Sequence, residues 1–93
     1  SDEQIEQFLI ELAEWRIKDE KLFRVLRFKD FNKAIEFMNK VAITAEAIDH
    51  HPEWSNVYNK VEICLVTHSE GGITQLDIDL AREIDSHFSA FKF

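Results

Sequence analysis

The sequence has few of the residues that break, bend or cross-link a chain. It contains two glycines, one proline and one cysteine among 93 residues. It has no low-complexity stretch, no obvious linker and no internal repeat, so we expect one domain over residues 1–93. The single cysteine, Cys64, excludes an internal disulfide and fits a reducing compartment such as the cytoplasm.

Long apolar runs and excess positive charge are also missing. No run approaches the roughly 20 apolar residues that span a bilayer. The net charge is −7 with histidine neutral, so the chain repels phosphate backbones, and no basic run suits a membrane surface. We therefore expect neither a nucleic acid nor a membrane as a direct partner.

Apolar residues are plentiful and regularly spaced. They make up 45% of the sequence, which is typical of a globular domain. Apolar residues at helical spacing predict three amphipathic helices, within 5–13, 31–48 and 74–88. Ser1 or Asp2 is the expected cap of the first helix and Asp30 that of the second. Thr74 and Asp77 resemble a capping box at the start of the third. The expected apolar face of the third helix comprises Ile73, Leu76, Leu80, Ala81, Ile84 and Phe88.

Two pairs of strand-forming segments alternate with these helices. Segments 15–17 and 21–28 predict one hairpin, and segments 54–58 and 60–67 predict a second. The order α-β-β-α-β-β-α predicts an α+β fold, in which one four-stranded antiparallel sheet has its helices on one face. The second strand is apolar on both faces, because Phe23 and Val25 alternate with Leu22 and Leu26. We therefore expect one face to meet another subunit.

The stretch AEAIDHHPEW, residues 45–54, places two adjacent histidines between the long helix and the third strand. Since Pro52 disfavours helical geometry at His51, the helix is expected to end before it. His68 is expected at the end of the fourth strand and Asp77 in the first turn of the third helix. These side chains are therefore predicted to meet at one end of the sheet, close to Glu46.

Residue chemistry alone leaves several interpretations open. Adjacent histidines at a helix end also suit the negative end of the helix dipole. A zinc site is disfavoured because neighbouring side chains diverge and no ligand spacing is present. A nucleophilic Cys64 is disfavoured because a thiol buried in mid-strand is inert. Acid–base chemistry by imidazole, which titrates near neutrality, needs no cofactor and remains open.

The spacing of these residues resembles a known family. Glu46-x-x-x-His50-His51-Pro52, followed at set intervals by Tyr58, His68 and Asp77, is similar to the signature of the pterin-4a-carbinolamine dehydratases. The strings RFKDFNKAIEFMNKVA, DHHPEWSNVYNKV and THSEGGIT fit that family too. The resemblance extends from Leu12 to about Ile84.

This resemblance implies a hydro-lyase. Family members remove water from 4a-hydroxytetrahydropterin to give quinonoid dihydropterin, a step of tetrahydrobiopterin recycling, without a metal or an organic cofactor. They are homodimers or homotetramers, and the long middle helix contributes to the tetramer contact. An animal member also binds a hepatocyte transcription factor and stabilises its dimers. The alternative function is therefore an interaction module or transcriptional coactivator, with a dimerisation helix as partner and the nucleus as a second location.

The resemblance also implies roles for individual residues. His50 and His68 would transfer protons, while His51 would hold the pterin. The remaining site residues would orient imidazoles, bind the edge of the pterin or lie against its ring, and they are Glu46, Asp49, Asp77 and Trp54. Relatives often have arginine where this chain has Leu76, so this chain lacks the positive charge that they carry at that position.

Overall fold

A computed structural model describes residues 2–91 of the chain. In chain order the elements are α1 (Asp2–Glu11), β1 (Arg16–Lys18), β2 (Lys21–Arg27), α2 (Phe31–Ala47), β3 (Glu53–Val57), β4 (Lys60–Leu65) and α3 (Gln75–Ser89). A short 3₁₀ turn, His68–Glu70, lies between β4 and α3. The predicted order of helices and strands is confirmed. Of the two proposed caps of α1, Asp2 is already helical, and Ser1 lies outside the described residues.

The four strands form one antiparallel sheet in the order β1-β2-β4-β3, as predicted. Leu22 lies opposite Leu65, and Trp54 lies opposite Ile63. Side chains alternate along β4, so that Val61, Ile63 and Leu65 are fully buried. This face packs against the helices, and the other face of the sheet remains open.

An aromatic cluster fills the core beyond the end of β2. The rings of Phe28 and Phe37 have centroids 4.9 Å apart. Phe88 and Phe91 from the end of the chain meet both rings edge-on. Each such pair contributes roughly 0.5–1.5 kcal/mol beyond simple burial. The cluster therefore holds the end of α3 against α2 and the sheet.

The long helix α2 begins and ends where its sequence indicates. The carboxylate of Asp30 accepts a hydrogen bond of 2.9 Å from the backbone N–H of Lys33, which confirms the predicted cap. The residues buried along α2 are Ala34, Phe37, Val41 and Ala45. Regular helix stops at Ala47, ahead of Pro52.

The predicted apolar face of α3 is confirmed at Leu80, Ala81 and Ile84 but is wrong at the start of the helix. Leu76 was expected on the apolar face, but 42% of it is exposed, whereas Ile78, left out of that face, is buried. The capping box is present as predicted, with Asp77 and Thr74 bonded to each other. Because the buried Asp77 must face the sheet, its predecessor on the helix turns towards solvent.

The first hairpin turns without glycine. Asp19 and Glu20 connect β1 to β2, with φ angles of 53° and 65°. Tight two-residue hairpin loops often require positive φ at both positions, a conformation that glycine adopts most easily. Because this loop contains no glycine, Asp19 and Glu20 adopt the left-handed conformation themselves.

Candidate active site

His50 is held against the end of α2 by the backbone. Asp49 has a φ of 52°, which turns the chain sharply after the helix. The N–H of His50 then donates to the carbonyl of Ala45 at 3.0 Å. His50 is consequently buried, with 8% of it exposed.

The imidazole of His50 is paired with a buried carboxylate. Its Nε2 donates to Oδ1 of Asp77 at 2.5 Å, and Asp77 is fully buried. The second oxygen of Asp77, Oδ2, accepts from the N–H of Thr74 at 2.8 Å and from the hydroxyl of Thr67 at 2.9 Å. Asp77, the third residue of α3 and a member of its capping box, therefore also orients His50.

The hydroxyl groups fix the direction of this network. Thr67 has one hydroxyl proton and gives it to Asp77, so the 2.7 Å contact between Thr67 and Thr74 has Thr74 as its donor. An ionised Asp77 carboxylate can only accept, so all three partners donate to it and the His50 ring carries a proton on Nε2. Nδ1 of His50 makes no hydrogen bond within residues 2–91.

The other two predicted histidines form exposed pairs with carboxylates. Nε2 of His51 donates to Glu46 Oε1 at 2.8 Å. Nε2 of His68 donates to Glu53 Oε2, also at 2.8 Å. Within residues 2–91, all three imidazoles thus use Nε2 for a carboxylate and make no hydrogen bond at Nδ1.

Glu53 has two cationic or potentially cationic neighbours. Its Oε1 accepts from Nζ of Lys21 at 2.6 Å, while Oε2 accepts from His68. The hydrogen bond from Lys21, followed by that from His68, lowers the pKa of Glu53 below its ordinary value. The same contact with Glu53 raises the pKa of Lys21.

The remaining predicted residues take different positions. Trp54 is half-buried against the core and also borders a surface cavity of about 340 Å³ on the open face of the sheet. Asp49 is exposed, and its carboxylate makes no hydrogen bond within residues 2–91. Tyr58, a member of the signature, lies in the β3–β4 turn at the opposite end of β3 from the histidines. It therefore does not join the site.

The position of His68 differs from the prediction. β4 ends at Leu65, so His68 opens the 3₁₀ turn instead of ending the strand. Thr67 just before it pairs with Gly72 across this turn. The turn is therefore closed at its base, and it places Thr67 inward towards Asp77 while His68 faces outward.

Sequence reasoning missed two members of the site, Glu53 and Thr67. Glu53 is the only acidic residue in HHPEW, but its contact with His68 depends on the register between β3 and β4. Thr67 neighbours a predicted histidine, and its role depends on its burial. Neither role can be predicted from residue type alone.

The described part of the chain contains no cluster of three or more histidine, cysteine or acidic side chains placed to hold a metal ion. Cys64 is half-buried on the open face of the sheet, and burial raises the pKa of its thiol. Within residues 2–91, no helix is long and apolar enough to cross a membrane.

Comparison with known proteins identifies the class of this fold and site. The family model described as pterin 4 alpha carbinolamine dehydratase matches residues 1–87. A crystal structure from Brucella melitensis, described as a transcriptional coactivator/pterin dehydratase, superimposes with a TM-score of 0.89. It is 43% identical in sequence, with 94% of this chain and 95% of that chain covered.

Two curated relatives agree with this match. One, from Synechococcus sp. strain WH7803, is 52% identical over 75 residues, which is 81% of each chain. Another, from Novosphingobium aromaticivorans, is 47% identical over 88 residues, which is 92% of each chain. The names of both assign them provisionally as pterin-4-alpha-carbinolamine dehydratases.

The chain belongs to the pterin-4a-carbinolamine dehydratase family. The resemblance drawn from the signature residues is thereby confirmed, and with it the enzyme class, a hydro-lyase.

Proposed function

We propose that this protein dehydrates 4a-hydroxytetrahydropterin to quinonoid dihydropterin in tetrahydrobiopterin recycling, by histidine acid–base catalysis. The observation that supports the proposal best is the pairing of each of three histidines with its own carboxylate. Such a carboxylate orients the ring and stabilises the imidazolium that forms when the ring takes a proton. The cytoplasm is the proposed compartment, since the single cysteine suits a reducing environment.

The reaction requires two proton transfers and no redox change. One group removes the proton from N5 of the pterin, and the electron pair left on N5 forms the double bond to C4a. The bond between C4a and oxygen breaks as a second group protonates the departing hydroxyl, which leaves as water. We assign these transfers to Nδ1 of His50 and of His68.

The imidazoles of His50 and His68 differ in solvent exposure, which bears on how they are reset between turnovers. After each turnover the rings have exchanged protonation states, and water must restore them. His68 is 74% exposed at its side chain and can exchange protons with bulk water directly. His51, bonded to Glu46, is assigned to holding the pterin, as are Asp49 and Trp54.

Single-histidine variants test this proposal. His50→Ala and His68→Ala should each lower kcat by roughly 10²–10⁴-fold, the usual contribution of a general acid or base. The double variant should cost little more, because groups acting in one step are not additive. His51→Ala should mainly raise KM. The measurement is a stopped assay of 4a-hydroxytetrahydropterin dehydration.

His87→Ala is the matched control, because this fourth histidine contacts Thr44 between α2 and α3. It should turn over normally. His50→Ala should also lose stability, because it leaves the buried Asp77 without one donor. Equal loss of stability in all variants with unchanged kcat would support a purely structural role and contradict the proposal. A His68→Ala enzyme with wild-type kcat would remove His68 from proton transfer.

We also propose that identical chains assemble through the outer surface of α2. Ile43 is 73% exposed there, next to Ala42, Ala47 and Ile48, which are exposed as well. Such an apolar patch marks an interaction surface. A dimerisation helix of another protein is the second candidate for the same surface, favoured by the coactivator description of the Brucella melitensis relative.

The second apolar face of β2 contributes less to this assembly than its sequence indicated. Phe23 is 7% exposed because Arg16 and Lys18 of the same chain lie over its ring, at 5.0 and 4.7 Å from the centroid. Cation–π contacts of this kind cover an aromatic ring without a partner subunit. Val25 remains 37% exposed.

A further inference from the structure

Glu53 connects three separate elements near His68. It is the first residue of β3, Lys21 is the first residue of β2, and His68 opens the 3₁₀ turn. One carboxylate oxygen accepts from Lys21 and the other from His68, so both oxygens are occupied by donors from different parts of the chain. Such a two-sided arrangement leaves the carboxylate little freedom to rotate.

The sheet supplies the rigid base for this carboxylate. Glu53 lies opposite Cys64 on β4, and Cys64 in turn lies opposite Phe23 on β2. Lys21 is two residues before Phe23 and therefore shares its face of the sheet. Glu53 reaches across this open face to Lys21, and its backbone position is set by the ladder of β3 and β4.

His68 depends on Glu53 for its orientation. Its side chain is 74% exposed and lies on a turn of three residues. Among the described residues, Glu53 is the only one that forms a hydrogen bond with its ring. An exposed ion pair contributes little to stability. The contact therefore affects the orientation of the imidazole more than the stability of the fold.

We propose that Glu53 is a positioning residue for the reaction, which holds His68 through Nε2 so that Nδ1 faces the pterin, and that Lys21 keeps the Glu53 carboxylate in place. The proposal rests on the proposed function, which assigns proton transfer to His68. It pairs His68 with Glu53 as His50 is paired with Asp77. Both proton-transferring rings then have a carboxylate behind them.

The kinetic test compares two glutamates that border the same cavity. Glu62 on β4 shares the open face but makes no side-chain hydrogen bond within residues 2–91. Glu53→Gln and Glu62→Gln remove the same charge from the same surface. Glu53→Gln should lower kcat about tenfold with little change in KM, since misplacement of a reacting group acts on the chemical step. Glu62→Gln should leave kcat unchanged, and equal kcat in the two variants would overturn the proposal.

Titration of Glu53 provides a readout that a purely structural role would not move. The carboxylate of Glu53 must be ionised to hold His68, and the hydrogen bond from Lys21 is the largest cause of its lowered pKa. Lys21→Met removes that bond and should therefore raise the pKa of Glu53, which is followed by NMR of its side-chain carboxyl carbon. Lys33→Met, which breaks an exposed pair with Glu36 on α2, is the control and should not change that pKa. An unchanged Glu53 pKa in Lys21→Met would overturn the assignment of Lys21.

The charged or titratable groups that face Glu53 are Lys18, Asp19, Glu62 and Cys64 in the same cavity, together with Lys21 and His68. Because the NMR titration follows the Glu53 carboxyl carbon itself, it separates Glu53 from these groups and needs no substrate. His68→Ala should raise the Glu53 pKa, because the bond from His68 is its second cause.

The two measurements distinguish failure of this inference from failure of the proposed function. An unchanged titration of Glu53 in His68→Ala would show that the contact does not form and would overturn the inference by itself. A wild-type protein without dehydration activity would overturn the proposed function and, with it, the catalytic role of a contact that the titration still detects.

Discussion

At the scale of single residues, the buried network around Asp77 depends on one hydroxyl proton. Thr67 donates to Asp77 and accepts from Thr74, and it is 7% exposed. Thr67→Val keeps the shape of the side chain but removes both bonds. We expect it to destabilise the fold by about 1–3 kcal/mol, the usual cost of leaving buried polar groups unpaired. Denaturant unfolding measures this loss.

Thr67→Ser is the matched variant for this prediction. It restores the hydroxyl and should recover most of the stability, together with the kcat that Thr67→Val loses through a poorly held His50. If the valine variant were as stable and as active as wild type, the direction of hydrogen bonding inferred for Asp77 would be wrong.

Two properties of single residues in the site could not be predicted from the sequence. The signature contains His50, His51, Glu46 and Asp77, and the structure pairs His50 with Asp77 and His51 with Glu46. It could not reveal that His50 is buried, since burial follows from the left-handed turn at Asp49. It also missed Glu53, because a contact between a strand and a turn depends on register.

At the scale of elements, the turn of the first hairpin contains backbone strain that a substitution can relieve. Glu20 has a φ of 65°, which is unfavourable for a residue with a Cβ atom. Glu20→Gly should therefore raise the free energy of unfolding by about 0.5–1 kcal/mol, the left-handed penalty less the added freedom of glycine in the unfolded chain. Urea denaturation measures the change.

Glu83→Gly is the control for this substitution. Glu83 is exposed within α3, where glycine costs roughly 1 kcal/mol relative to a good helix former. The two changes from glutamate to glycine should thus have opposite signs. A destabilised Glu20→Gly variant would show that the turn does not hold its left-handed conformation in solution.

Most elements could be predicted because their patterns are local. The spacing of α2, the cap at Asp30 and the alternation in β4 all depend on neighbours within a few residues. The exposure of Leu76 at the start of α3 could not be predicted, because the burial of the neighbouring Asp77 depends on His50 and Thr67, which are distant along the chain.

At the scale of the whole molecule, the apolar surface of α2 predicts assembly. Light scattering at micromolar concentration should give a multiple of the 11.0 kDa chain mass. Ile43→Glu places a charge in the proposed contact and should lower that mass, since a desolvated, unpaired charge is costly. Ile10→Glu, at a position 81% exposed on α1, is the control and should not. A wild-type mass of one chain would contradict the assembly.

The double role of Asp77 links the proposed catalysis to local unfolding. The carboxylate that completes the capping box of α3 also holds His50, a residue 27 positions earlier in the chain. Fraying of the first turn of α3 would release the imidazole at the same moment, so the two events share one free energy. Amide hydrogen exchange at Leu76 and Asp77 would then report how often the His50 ring is out of place. Variants that loosen this helix end should lose turnover well before the sheet opens.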